Sequence, residues 1–175
     1  MTTQSLAAIA QAMVAPGKGI LAADESSGTI KKRFDAIHLE STADSRRAYR
    51  DMLFTAPGVG EFISGVILYD ETLRQSTLTG VPFPRYLAQQ GMLPGIKVDA
   101  GAKALAGFPG ETLTEGLDGL RERLKEYVGL GAKFAKWRAV IEIGPGLPSS
   151  FCLTANAHAL ARYAALCQEA GIVPI

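Results

Sequence analysis

Residues 94–99 read PGIKVD and residues 133–141 read KFAKWRAVI, two short runs in which charges recur at every second position. In an extended strand, residues i and i+2 project from one face and residue i+1 from the other. Gly95, Lys97 and Asp99 therefore share a face, opposed by Ile96 and Val98. In the second run Phe134, Lys136, Arg138 and Val140 share a face, opposed by Ala135, Trp137 and Ala139. Residues 19–24 (GILAAD) repeat the pattern, with Ile20, Ala22 and Asp24 aligned. Parallel strands are normally covered on both faces, where an unpaired charge is costly to bury. A fold that carries Asp24, Lys97, Asp99, Lys136 and Arg138 late in three strands must give them partners or a water-filled pocket.

Outward from these runs the chain alternates strands with helices. Residues 5–14 read as a first helix and 19–24 as the first strand. Residues 27–37 and 42–55 read as helices, the second with Thr42 as a cap and with Ala48, Met52 and Leu53 on its apolar side. Residues 62–69 (FISGVILY) read as the second strand and 84–90 as a short helix ending near Gly91. After the strand at 94–99 comes a Gly-rich loop, then a helix at 117–128 and the strand at 133–141. A long helix over 149–170 closes at Gly171, and residues 172–175 (IVPI) begin a fifth strand. This rhythm means βαβ units and a parallel sheet, an α/β fold. It fits either a small open sheet or half of a larger barrel. In both, the pocket lies at the C-terminal ends of the strands, where all five charges converge.

Composition narrows the function. The chain has 175 residues, 47% hydrophobic and 20% charged, with a formal net charge of +1. There is no basic stripe, acidic tail or long apolar run, so neither nucleic acid nor a membrane is an expected partner. The apolar stretch at 5–15 is interrupted by Gln11 and lacks a basic lead, and reads as a folded helix rather than a signal peptide. Cys152 and Cys167 share one helix and so stand about 22 Å apart along its axis, while a disulfide needs Cα atoms within about 7 Å. They read as reduced, buried thiols in a cytoplasmic protein.

The charges suggest chemistry. Several cations and two carboxylates in one cleft suit an anionic, oxygen-rich substrate such as a sugar phosphate. Neighbouring ammonium groups lower one another's pKa, and a lysine so depressed can attack a carbonyl. His38 and His158 lie in unrelated stretches with no metal-ligand spacing, so no metal is expected. The cysteines form no CxxC pair. The loops at 58–60 and 107–110 match neither GxGxxG nor GxxxxGK[ST]. Ser26, Ser27 and Thr29 open a helix, with Lys32 and Arg33 one turn on, and such a terminus can hold a phosphate or simply be capped.

The motifs LAADES (21–26), RRAYR (46–50), SGVIL (64–68), GIKVD (95–99), GLDGL (116–120), FAKWR (134–138) and GIVPI (171–175) occur in one order over nearly the whole chain. In that order they resemble the class I fructose-bisphosphate aldolases, although the segments 100–104 and 144–150 differ from the family's usual forms. The resemblance implies a (β/α)₈ TIM barrel, of which this chain supplies strands 1–4 and the start of strand 5 as one domain over residues 1–175. It implies a lyase of glycolysis and gluconeogenesis that needs no metal or cofactor and is a homotetramer. A lysine forms a Schiff base with the ketose, and fructose 1,6-bisphosphate is cleaved reversibly to dihydroxyacetone phosphate and glyceraldehyde 3-phosphate.

Carried over by motif, Asp24 would handle a substrate hydroxyl and its proton. Lys136 would assist iminium formation, and Lys97 would bind the hydroxyl chain and the distal phosphate. Arg138 would hold substrate, and Ser26, Thr29 and Arg33 would contact phosphate, with Asp99 behind them. The family's iminium-forming lysine and catalytic glutamates correspond to positions beyond Ile175, so a C-terminal half of the barrel is an expected partner. Two other readings stay open: a non-catalytic half barrel that assembles with another half, and a Schiff-base aldolase for another phosphorylated sugar. A half barrel exposes sheet edges and an incomplete core. The 175 residues by themselves are therefore expected neither to melt cooperatively nor to turn over substrate. A soluble monomer with a sharp calorimetric transition would contradict this.

Overall fold

The computed structural model describes residues 5–175. Helix α1 (Leu6–Met13) is capped by Ser5, whose hydroxyl accepts from Ala8 N. Strand β1 (Gly19–Ala23) leads to α2 (Ser27–Asp35) and α3 (Ala43–Phe54). The single turn α4 (Val59–Phe62) precedes β2 (Ile63–Leu68), followed by α5 (Asp70–Leu73) and α6 (Phe83–Gln89). Strand β3 (Leu93–Lys97) is followed by a hairpin of β4 (Gly101–Ala104) and β5 (Thr112–Glu115). Then come α7 (Leu120–Gly129), β6 (Phe134–Lys136), α8 (Ser150–Glu169) and β7 (Val173–Pro174).

The main sheet is parallel, with order β1-β2-β3-β6-β7. Each crossover advances one strand in the same direction. An open doubly wound sheet would reverse direction at a switch point. This one does not, and it forms an arc of a (β/α)₈ barrel.

The alternation read from the sequence sorts the core. Ala23, Val66, Leu68, Ile96, Val98, Ala135 and Trp137 face the helices and pack with Phe54, Phe83, Leu87, Leu124 and Tyr163. Phe54 and Phe83 meet edge-on, with ring centroids 5.1 Å apart. On the inner face Ile67, Phe134 and Val173 form a smaller cluster with Ile9 and Met13 of α1. Helix α1 touches both β2 and β7, so it stops the N-terminal end of the arc. The Phe134 ring lies across the backbone of two glycines. A Cβ built on Gly95 would stand 2.2 Å from that ring, and one on Gly65 3.0 Å from it.

Three expectations are corrected. Helix α3 has the expected Thr42 cap, reinforced by Ser45 in a capping box. Its buried face, however, carries Arg50, Asp51 and Phe54, whereas Met52 is exposed and Ala48 faces solvent. Partners make this possible: Arg50 meets Glu25, and Asp51 Oδ1 accepts Leu78 N at 2.9 Å. The strand expected over 133–141 ends at Lys136, because its neighbour β3 turns away after Val98 N has bonded Lys136 O. The loop at 100–116 is an antiparallel hairpin, registered from Gly101↔Glu115 to Ala104↔Thr112. Its poor strand formers and its turn glycines, Gly107 and Gly110 at φ 80° and 83°, hid the pairing.

Both cysteines are buried and free, as expected. Among the described residues no helix is long and apolar enough to cross a membrane.

The glycine at 95 gives a test of the inner plug. In the barrel completed by a C-terminal half, Gly95→Ala should cost about 1–3 kcal/mol in denaturant unfolding, because the caged Phe134 ring must move. Adding Phe134→Leu should recover part of that loss, and a neutral Gly95→Ala would show that the ring is not caged.

Candidate active site

Four strand ends and the hairpin enclose an open cavity of about 500 Å³. Asp24, Ser26, Thr29, Lys97, Asp99, Lys136 and Arg138 all line it. They come together because the strands are parallel and β3 pairs with β6 so that Lys97 stands opposite Lys136. Each ammonium has its own carboxylate. Lys136 Nζ donates to Asp24 Oδ2 at 2.6 Å. Lys97 Nζ donates to Asp99 Oδ1 at 2.6 Å and to Asp99 O at 2.8 Å.

The first of these pairs crosses the barrel. Strands β1 and β6 are separated in the sheet by β2 and β3, so the contact is a chord through the interior. The two side chains keep only 10% (Asp24) and 21% (Lys136) of their surface exposed. The second pair is local. Asp99 Oδ1 also accepts Gly101 N at 3.0 Å, which ties the lysine's partner to the start of the hairpin. Asp99 Oδ2 is buried without a hydrogen bond among the described residues. Arg138 differs from both lysines. It is exposed, and its guanidinium makes no ion pair among the described residues.

Ser26 caps α2, its hydroxyl 3.4 Å from Thr29 N and 3.2 Å from Thr29 Oγ1. Both residues still line the cavity, so capping does not remove them from it. Arg33 is the expected residue that the structure does not bring to the cavity lining. Its guanidinium is paired with Glu25 and donates to Tyr49 Oη at 3.0 Å. To touch a phosphate it would have to release Glu25.

Other residues at the site were harder to find. Glu25 lines the cavity and is gripped from behind by Arg50, which is 2% exposed. Arg50 Nη2 lies 3.1 Å from Glu25 Oε2 and donates to Glu25 O at 3.0 Å. Burial pulls the Arg50 guanidinium below its ordinary pKa, and the Glu25 charge opposes that shift. Nothing in RRAYR marks its last arginine as buried. Tyr69 also lines the cavity. It follows Gly65 and Ile67 on the inner face of the second strand, so the same two-residue rule finds it once uncharged polar ends are included. On the helix side, burial pushes the Cys167 thiol up to about 12, which leaves it a poor nucleophile. Among the described residues no cluster of three potential metal ligands occurs.

Charged groups gathered at the C-terminal mouth of a parallel arc mark the class of (β/α)-barrel proteins whose active sites occupy that mouth. The chain belongs to the class-I fructose-bisphosphate aldolase family, whose model matches residues 5–175. It is 63% identical over 175 residues to a probable class 1 fructose-bisphosphate aldolase of Xylella fastidiosa, covering all of this chain and 52% of that protein. A cytoplasmic fructose-bisphosphate aldolase isozyme of Cicer arietinum is 59% identical over 161 residues, 91% of this chain and 45% of that one. Among solved structures, an aldolase of Plasmodium falciparum, determined with TRAP and a small-molecule inhibitor, superposes with a TM-score of 0.94 at 51% identity. That match covers 97% of this chain and 49% of the other. The chain thus spans about half the length of the relatives it matches.

The cross-barrel pair should show energetic coupling. In the barrel completed by a C-terminal half, Asp24→Ala and Lys136→Ala should each cost about 2 kcal/mol in urea unfolding, reduced from a fully buried pair by partial exposure. The double variant should cost about 1 kcal/mol less than the sum. Strict additivity would mean that the two groups do not interact in solution.

Proposed function

We propose that this chain forms the N-terminal half of one barrel domain of a class I aldolase acting on fructose 1,6-bisphosphate. The reaction is reversible cleavage to dihydroxyacetone phosphate and glyceraldehyde 3-phosphate. A lysine of the C-terminal half forms the iminium, which draws electrons from the breaking carbon–carbon bond. The Asp24–Lys136 pair carries this reading, because it couples a carboxylate and an ammonium at the mouth of the arc in a chain of this family.

In this scheme Asp24 takes the proton of the substrate hydroxyl whose carbon leaves the bond. Lys136 holds that carboxylate in place and supplies positive charge beside the carbinolamine and iminium. Lys97, fixed by Asp99, binds the hydroxyl chain and the distal phosphate. Arg138 holds the substrate as an unpaired cation, and Ser26 and Thr29 contact a phosphate at the start of α2. Arg33 joins them only by leaving Glu25. The name of the Cicer arietinum relative supports a cytoplasmic site of action. We assign a homo-oligomeric assembly by the family resemblance alone.

The test is complementation. The chain is co-expressed with the C-terminal half of the Xylella fastidiosa relative, and the purified assembly is reduced with borohydride in the presence of dihydroxyacetone phosphate. A trapped adduct on a lysine of the added half, with turnover of fructose 1,6-bisphosphate, is expected. Lys136→Gln should lower kcat by about 10²–10³-fold. An intact assembly with neither adduct nor turnover would overturn the reading. Faster turnover of fructose 1-phosphate than of the bisphosphate would redirect the substrate.

A further inference from the structure

Past Lys136 the main sheet has little ladder left. Val98 N donates to Lys136 O at 3.1 Å and Trp137 N to Ile175 O at 3.0 Å, and there the backbone bonds of this strand cease. Arg138 stands one residue further on, at the cavity. What secures this stretch is β5. Thr114 Oγ1 donates to Arg138 O at 2.8 Å, and Thr112 Oγ1 donates to Val140 O at 2.6 Å. The pairing of 114 with 138 and 112 with 140 has the order of an antiparallel ladder. Two side-chain hydroxyls continue the ladder where the backbone stops.

The backbone that carries these hydroxyls is itself held from the far side. Asn156 of α8 is 2% exposed, as is Thr114. Asn156 Oδ1 accepts Thr114 N at 3.3 Å. Its Nδ2 donates to Thr112 O and Cys152 O, both at 3.0 Å. The bonds therefore run from α8 through β5 to the backbone of Arg138. An arginine side chain is long and loses much rotamer freedom on binding, so fixing its root lowers what the ligand must order.

We propose that Thr114, backed by Asn156, is a positioning residue that sets Arg138 against an anionic group of a sugar phosphate. This rests on the reading of the cavity as a sugar-phosphate site. Thr114 touches no substrate and acts through the arginine. A hydroxyl that only stabilised the hairpin would act whether or not Arg138 was present, and this difference decides the experiment.

Binding of a hexitol 1,6-bisphosphate, which has no carbonyl to react, is measured by calorimetry on the barrel completed by a C-terminal half. Thr114→Val should bind about tenfold more weakly. Thr114→Ser, which restores the hydroxyl, should stay within about twofold of the parent. Thr114→Ala removes the same hydroxyl without placing a methyl against the carbonyl, and carries the same expectation as valine if the valine variant does not assemble. Arg138→Gln should weaken binding at least as much, and Thr114→Val should add nothing to it. Parent-like binding by Thr114→Val beside a weakened Arg138→Gln would overturn the positioning role alone. So would a loss that adds in full to that of Arg138→Gln. Parent-like binding by Arg138→Gln would remove the site reading itself, and this inference with it.

Discussion

The ion pair between Asp24 and Lys136 joins two strands that never touch through their backbones. Strands β1 and β6 stand three places apart in the sheet, yet their last inward-facing residues meet at 2.6 Å. Only a curved sheet brings those ends together, so the contact and the curvature imply each other. A charge held in a partly dry interior needs a partner of opposite sign close by. The pair meets that need for both residues at once and leaves the space beside it polar. The cavity exists at this level of the arc because charged groups occupy it in place of apolar ones.

One level below, the inner face is apolar and tightly filled. Gly65 and Gly95 lack side chains so that the Phe134 ring can lie across their backbones, with α1 beneath it. The inner face is thus a plug at one end and a polar cavity at the other. The outer face is largely apolar and carries most of the core against the helices. Stability and chemistry are separated along the strand on the inner side, and between the two sides of the sheet.

Much of this was legible in the sequence because period-two alternation is a strong local signal. GIKVD and FAKWR place Lys97 and Lys136 on the inner face before any pairing is known, and the structure agrees. The sequential strand order was not legible from rhythm alone, which also fits an open sheet. The motif resemblance supplied it. Helix α3 departs from its expected face at Ala48 and Met52, whereas Leu53 packs against the core. Burying Arg50 depends on Glu25, a partner on another element that helical periodicity cannot see. The hairpin is not legible because its strands are four residues each and β4 is poor in β-formers, and it is held as much by Thr112, Thr114 and Asn156 as by its own ladder.

Residues 23–25 show how narrowly the site is set. Ala23 packs in the core behind the sheet, Asp24 enters the cavity, and Glu25 is gripped by buried Arg50 while still lining the cavity. A slip of one residue would send Asp24 to the apolar side and Ala23 to the cavity. The small, apolar Ala22 and Ala23 would resist such a slip weakly, since alanine is tolerated on either face. The register of β1 against β2 is in fact irregular between Gly19 and Ile20, so the start of the strand does not dictate its end. The two carboxylates do. Asp24 has its cation inside the arc and Glu25 has its cation on α3, so the slip that misplaces one misplaces both. Two charge pairs on opposite sides of the strand therefore fix the position of Asp24 more stringently than the apolar residues before it.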